Sequence, residues 1–434
     1  MRVEPGANLP RAVARADRGD RICLSAGTYR LTRPIRPRAG QTIVGSKAVL
    51  DGSRILRGFV KQPDGWAVRG QRQQGERNGE CLKGKACTYP DDVVRDGKPL
   101  RRVLKRSQLG PGRYWFDYKR NTIHVGDDPR GHRLRALVSS GAIVSRNGAA
   151  GANVTVSGLT VQRFATRAQH GAIETTAPGW TIRGTTVRDN HGAGITTQGH
   201  ARIVRNRVLR NGQLGIGGTG DHTLVSHNVI AGNGRGGFDP AWEAGGAKWA
   251  VTDHLTVVGN RVTRNTGPGL WTDIDAQHTT YSRNVVRDNT WMGIFHEISA
   301  DAIISGNTVT GNGHGFDAWL WGSGILVAAS HDVRISSNRL ADNAQGIGLI
   351  QQDRGISDVD GRPRVLHNLA ITGNRVAMAR GDSGMVQSDG NGFVFDDPTI
   401  TWSGNVWTQR DRDPFAWNDT NLTLAQWRAL GHDN

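Results

Sequence analysis

VVGNRVTRN at residues 257–265 and YSRNVVRDN at 281–289 carry asparagines at the same two places: Asn260 and Asn265, then Asn284 and Asn289. The pattern extends outward in both directions, through VSHNVIAGN (225–233) and IVRNRVLRN (203–211) on one side and ISGNTVTGN (304–312) and ISSNRLADN (335–343) on the other. Each copy again holds two asparagines five apart: Asn206 and Asn211, Asn228 and Asn233, Asn307 and Asn312, Asn338 and Asn343. The unit returns every 22 to 24 residues, or every 31 to 36 where a loop is inserted. Apolar residues alternate in short runs such as LTVVGNRV and AIISGNTV, and no helical period is sustained, so the unit is made of strands. A short all-strand repeat cannot bury its apolar face alone and must stack on its neighbours. The expected fold is therefore all-β, a right-handed parallel β-helix. Asparagine suits the turns of such a stack because its amide bonds to the amides above and below. These columns are read as structural.

The ends of a solenoid expose strand edges and need covering. ANLPRAVARADR (7–18) reads as a short amphipathic helix over the first coil, and TLAQWRALG (423–431) as the counterpart at the other end. Residues 51–140 break the repeat with charged, turn-rich stretches, CLKGKACTYPDDVVRDGKPL and GRYWFDYKRNTIHVGDDPRGH. The expected organisation is thus a cap with first coils (1–50), an inserted β subdomain (51–140), the main β-helix (141–410) and a C-terminal cap (411–434).

Length alone, at 434 residues, suggests two or three domains, but a repeat overrides that estimate. Glycine, at 59 residues, is about twice its usual share, as many tight turns require. The net charge of +17 comes mostly from arginines scattered along the chain, without a lysine block or a nucleic-acid-binding motif. Nucleic acid is thereby excluded as the expected partner, while an acidic, uronate-containing glycan fits. There are three cysteines: Cys23, Cys81 and Cys87. The pair in ECLKGKACTY can close a short loop, which suits an oxidising, extracellular setting, or all three can be reduced thiols. MRVEPGANLP lacks the apolar core of a secretion signal, as a mature chain does, and no apolar run is long enough to span a membrane. A β-helix of this length is expected as a monomer or small homo-oligomer.

Two successive repeats place carboxylates at one phase. In GLWTDID (269–275) Asp273 stands four residues after Gly269, and in GIFHEIS (293–299) Glu297 stands four after Gly293. Strand alternation points Leu270 and Ile274 inward and Trp271, Asp273 and Asp275 outward; Ile294 and Ile298 match inward, with Phe295, Glu297 and Ser299 outward. Adjacent strands lie about 4.8 Å apart. Retaining glycosidases separate their two carboxyls by about 5–5.5 Å, and inverting ones by about 6.5–9.5 Å to admit water, so stacking predicts retention. Two such acids do not ionise equally, which assigns Glu297 as proton donor and Asp273 as nucleophile. The bland alternative is a surface column of charges, with Asp273 and Asp275 offering oxygens to calcium.

Loop-bearing repeats flank the pair. GFDPAWEAGGAKWA (237–250) supplies Asp239, Trp242, Glu243, Lys248 and Trp249, and GFDAWLWGSG (315–324) supplies Trp319 and Trp321. Tryptophan faces stack on sugar rings, though they also anchor loops. Asp239 shares the phase of Trp271 and is expected to bond a hydroxyl. His278 and His296 read either as contacts or as structural, His296 having inward phase and so orienting Glu297. GLIQQDRG (348–355) brings Gln351, Gln352, Asp353 and Arg354 towards the same face.

WTDI and FHEI, with Asp273 and Glu297, resemble the paired motifs of β-helix glycoside hydrolases, in particular family 120 β-xylosidases and the related family 141. In that pattern an aspartate strand is followed about one coil later by a glutamate strand. The resemblance implies that Asp273 is the nucleophile and Glu297 the acid/base, with no cofactor. VVRDGKPL also resembles part of a β subdomain in that group, whereas Thr272 and Ile274 depart from its tryptophan-flanked form. WEAGGAKW is similar to the glutamate and lysine of family 6 polysaccharide lyases. On that competing reading Lys248 removes a C5 proton while calcium neutralises a uronate. A third class is a non-catalytic glycan-binding fibre, which keeps the tryptophans and needs no paired acids.

Overall fold

The computed structural model describes residues 1–316 and 318–434. Three long sheets of 13, 12 and 12 strands run its length, each strand pairing in parallel with its equivalent in the next coil except the last of one sheet, Thr420–Leu422, which is antiparallel. The chain is a parallel β-helix, and the reason is visible in its interior. Ile173, Ile195, Ile216, Ala247, Leu270, Ile294, Ile325 and Ile347 follow one another in register through the third sheet and are buried in one continuous core. Each coil alone would leave its aliphatic face wet.

The asparagine columns form two hydrogen-bonded ladders at the corners flanking the second sheet. Along the first, each Nδ2 donates to the next asparagine's Oδ1, from Asn206 through Asn228, Asn260, Asn284, Asn307 and Asn338 to Asn374 and Asn405, at 2.9–3.0 Å. It ends on Asp433, whose Oδ1 accepts from Asn405 at 2.8 Å. The second begins one coil earlier, at Asn190. Most of these amides also donate to a backbone carbonyl of the previous coil, so buried polar groups are satisfied along both corners.

Helix Leu9–Arg15 closes one end, with Leu9 and Val13 in the core and Asn8 capping its first turn. The Gln41 amide donates to the carbonyls of Val13, Ala16 and Asp17, groups a helix end would otherwise leave unpaired. At the other end, helix Leu424–Ala429 is capped by Thr423 and Gln426 and inserts Trp427 against Phe415. Between Ser53–Ile55 and Leu134–Leu137 the chain forms separate four- and five-stranded sheets with their own small core. A disulfide joins Cys81 to Cys87, and Cys23 is free. No helix among the described residues is long and apolar enough to cross a membrane.

Candidate active site

Strand Leu270–Asp273 pairs with Ile294–Glu297 as Leu270 to Ile294, Trp271 to Phe295 and Thr272 to His296. One step further along both strands stand Asp273 and Glu297, on the outer face and each only 7% exposed. They sit at one end of a cleft of about 610 Å³. Its floor continues over Thr196, Gly217 and Thr219 to Glu174, towards the N-terminal coils. Six strands contribute to this surface, so it extends about 24 Å at about 4.8 Å per spacing. In the other direction the outer face turns apolar: Phe295, Leu326, Ala328, Ile350 and Val386 form a covered cluster with Trp271. The carboxyl pair therefore marks the boundary between an open polar shelf and a closed apolar one.

Each acid has a cation. Lys248 Nζ lies 2.9 Å from Asp273 Oδ2, stacks over Trp271 at 3.8 Å from the ring centroid and donates to the Trp242 carbonyl at 3.2 Å. Arg354 donates to Glu297 Oε1 at 2.9 Å. Burial raises the Glu297 pKa above the ordinary carboxyl value, and the Asp273 charge raises it further; Arg354 and Lys248 oppose them without cancelling the effect. Glu243 also has a raised pKa, from burial first, despite Lys248 and a 2.8 Å bond from Gln169. Two ion-paired carboxyls thus face one cleft, Glu297 with its pKa raised.

Of the residues singled out from sequence, Trp242, Glu243, Lys248, Trp271, Asp273, Glu297 and Arg354 line the cleft. Others do not. His296 is fully buried on the inner face, its Nδ1 2.8 Å from Thr272 Oγ1, and burial lowers its pKa to about 3, so it is a neutral core group rather than a sugar contact. Asp275 turns to Arg364 at 2.9 Å and does not line the cleft. Asp239 leaves the strand phase altogether and caps helix Pro240–Glu243 by accepting from Ala241 N–H. Gln351 is buried and holds the following loop through Leu366 N–H and the Gln352 carbonyl, while Gln352 lies outside the cleft lining. Asp353 caps its own turn at Gly355. Trp249 belongs to the core, Trp321 packs edge-on against Phe295, and Trp319 is 41% exposed away from the cleft.

The inward assignment of Ile274 is also corrected. The strand ends at Asp273, and Ile274 takes φ 47° with 41% exposure, lining the cleft rim. Val251, Ile298 and Ala329 repeat that left-handed corner, where Gly199 and Gly220 stand in earlier coils. A β-branched residue there is strained by roughly 1–2 kcal/mol.

Sequence reasoning missed the far wall. Gln169, His170 and Glu174 line it, with His170 Nδ1 2.8 Å from Glu174 Oε1. The inserted subdomain supports this wall, since Asn78 bonds Gln169 and the Ala168 carbonyl. Glu174 was detectable: it precedes Thr196, Gly217, Lys248 and Trp271 in one outward column.

A sequence family described as right handed beta helix region matches residues 171–327. No curated protein sequence matches the chain. Among solved structures, the complex of XylC with xylose superposes with a TM-score of 0.70 at 14% identity, covering 95% of this chain and 87% of that one. The A-module of the mannuronan C-5 epimerase AlgE4 from Azotobacter vinelandii gives 0.52 at 14% identity, covering 94% and 91%. At such identities the likeness is one of fold.

Proposed function

We propose that this protein is a carbohydrate-active enzyme, a glycoside hydrolase that works with retention through Asp273 and Glu297. The observation that carries the reading is the pair itself: two buried carboxyls in register on adjacent strands at the end of a cleft, one with its pKa raised by burial and by the other's charge. An Asp273 oxygen attacks the anomeric carbon while Glu297 gives its proton to the leaving oxygen and the glycosidic C–O bond breaks. Water, deprotonated by Glu297, then displaces Asp273 from the glycosyl ester. Lys248 holds Asp273 Oδ2 and so orients the carboxylate. The shelf extends to one side of the pair only, which favours release of sugars from a chain end. The xylose bound to XylC and the mannuronan named for the epimerase are consistent with a cell-wall polysaccharide or oligosaccharide as substrate. A disulfide-bearing chain fits extracellular work on such material.

Lys248 and Arg354 in one cleft favour a second reading, β-elimination from a uronate glycan. Against it, Nζ of Lys248 is ion-paired with Asp273, and an ammonium so paired carries no lone pair to take a proton. A panel of cell-wall glycans tests both. Hydrolysis gives new reducing ends without near-ultraviolet absorbance, elimination gives an absorbing unsaturated product, and a binding protein gives neither. Unchanged hydrolysis in Asp273→Asn and Glu297→Gln would overturn the two-acid assignment.

A further inference from the structure

The corner that leads into the first sheet carries a second chemical feature, outside the cleft. In register stand His200, His222, His254 and His278, followed by Asp301. All four histidines adopt left-handed backbone, with φ from 47° to 55°. Their rings stack with centroids 5.1, 4.8 and 4.5 Å apart and planes within 18° of parallel, a spacing set by the strands beneath. Side chains of His254 and His278 are about half exposed, at 52% and 46%.

At the end of this column three donor atoms converge. Asp253 Oδ1 lies 2.9 Å from His254 Nδ1 and 2.6 Å from His278 Nδ1, and the three atoms lie within 4.8 Å of one another. On the far side of the ring, Asp301 Oδ2 lies 3.2 Å from His278 Nε2. A carboxylate bonded to the second nitrogen of a histidine fixes its tautomer, leaving the first nitrogen to offer a lone pair, as the outer ligands of metal sites do.

We propose that Asp253, His254 and His278 form a binding site for a divalent transition ion of the zinc class, oriented by Asp301 and tying two successive coils together. Two imidazoles and one carboxylate suit zinc, nickel or copper, whereas calcium and magnesium require more oxygen ligands than this cluster has. Three protein ligands leave a fourth tetrahedral position to water.

Calorimetric titration of the full, metal-stripped chain with zinc chloride tests this. One zinc ion per chain is expected, with no heat from calcium chloride. His278→Ala should abolish binding, and Asp301→Asn should weaken it roughly 10-fold or more. Zinc should also raise the Tm of the native chain and leave that of His278→Ala unmoved. Should His278→Ala fail to fold, Asp253→Asn serves in its place. Absence of zinc binding, or zinc binding unchanged in these variants, overturns the proposal.

Discussion

At the corner between the first and second sheets, Gly259 turns the chain with φ 65° and Asn260, 1% exposed, fills the turn with hydrogen bonds to the coils on either side. At the corner after the third sheet the left-handed position falls to Ile274, which is 41% exposed, and the residue before it is Asp273. Both corners bend the same coil through left-handed backbone, Gly259 alone at the first and Ile274 with Asp275 at the second. The first combines a permissive residue with a satisfied amide, while the second combines a strained one with an ion-paired acid. On the proposed function the asparagine ladders carry stability and the Asp273 corner carries chemistry, so variants at the two should fail in different assays.

Glu297→Gln is expected to have the largest effect, a loss of roughly 10³-fold or more in glycan hydrolysis. Its stability should move the other way. Below the ordinary carboxyl range both the folded and the unfolded chain hold the proton, and Glu297 contributes nothing. As pH rises, the unfolded chain releases its proton first, so stability falls until the raised native pKa is passed. Thermal melts should therefore show Glu297→Gln gaining on the native chain as the pH rises above about 4. A variant that lost both activity and Tm across this range would mark Glu297 as a ladder-like structural group.

Asn265→Ala comes next and inverts that pattern. It deletes the acceptor of Asn233 N–H and Nδ2, both at 2.9 Å, and the donor to Asn289 Oδ1 at 2.8 Å. Stranding buried amide hydrogens should cost about 2–4 kcal/mol, read as a lower midpoint in denaturant. Turnover per folded molecule should stay within about twofold of native, since the ladder touches no cleft residue.

Removing the disulfide tests what joins the two behaviours. Leu82 N–H donates to the Gly237 carbonyl and Asp239 N–H to the Glu80 carbonyl, so the loop that Cys81 and Cys87 close braces the helix carrying Trp242 and Glu243. The paired Cys→Ser variant should lose about 2 kcal/mol, the chain-entropy value for so short a loop. It should raise KM more than it lowers kcat, because the wall moves and the acids do not. An equal fall in kcat would mean that the brace reaches Asp273.

What the sequence revealed follows the same division. The ladders were legible because each asparagine does the same work in every coil, and repetition is a signal that one sequence carries by itself. Asp273 and Glu297 were legible as a pair because their phase follows from strand alternation. Lys248 on Asp273 and Arg354 on Glu297 were not legible as ion pairs: the first depends on how a long side chain leans across the adjacent strand, and the second on how a loop folds back over 57 positions. Trp319 and Trp321 misled for the same reason. Asp275 and Ile274 misled differently: strict alternation was extended past Asp273, where the strand ends and the backbone turns left-handed.

That corner supports the smallest prediction. Ile274→Gly removes a β-branched residue from φ 47°, relieving roughly 1–2 kcal/mol, while glycine's freedom in the unfolded chain takes back about 0.5–1 kcal/mol. The variant should be up to about 1.5 kcal/mol more stable by denaturant titration. If the strained residue serves to fix the direction of its neighbour, the freed corner should also lower kcat several-fold with KM little changed. The same exchange at Val251, which follows Ala250 rather than an acid, should bring the stability without the loss of rate. Equal rate losses at both would show that stiffness of the whole rim matters, and no loss at either would leave the strain without a part in aiming Asp273.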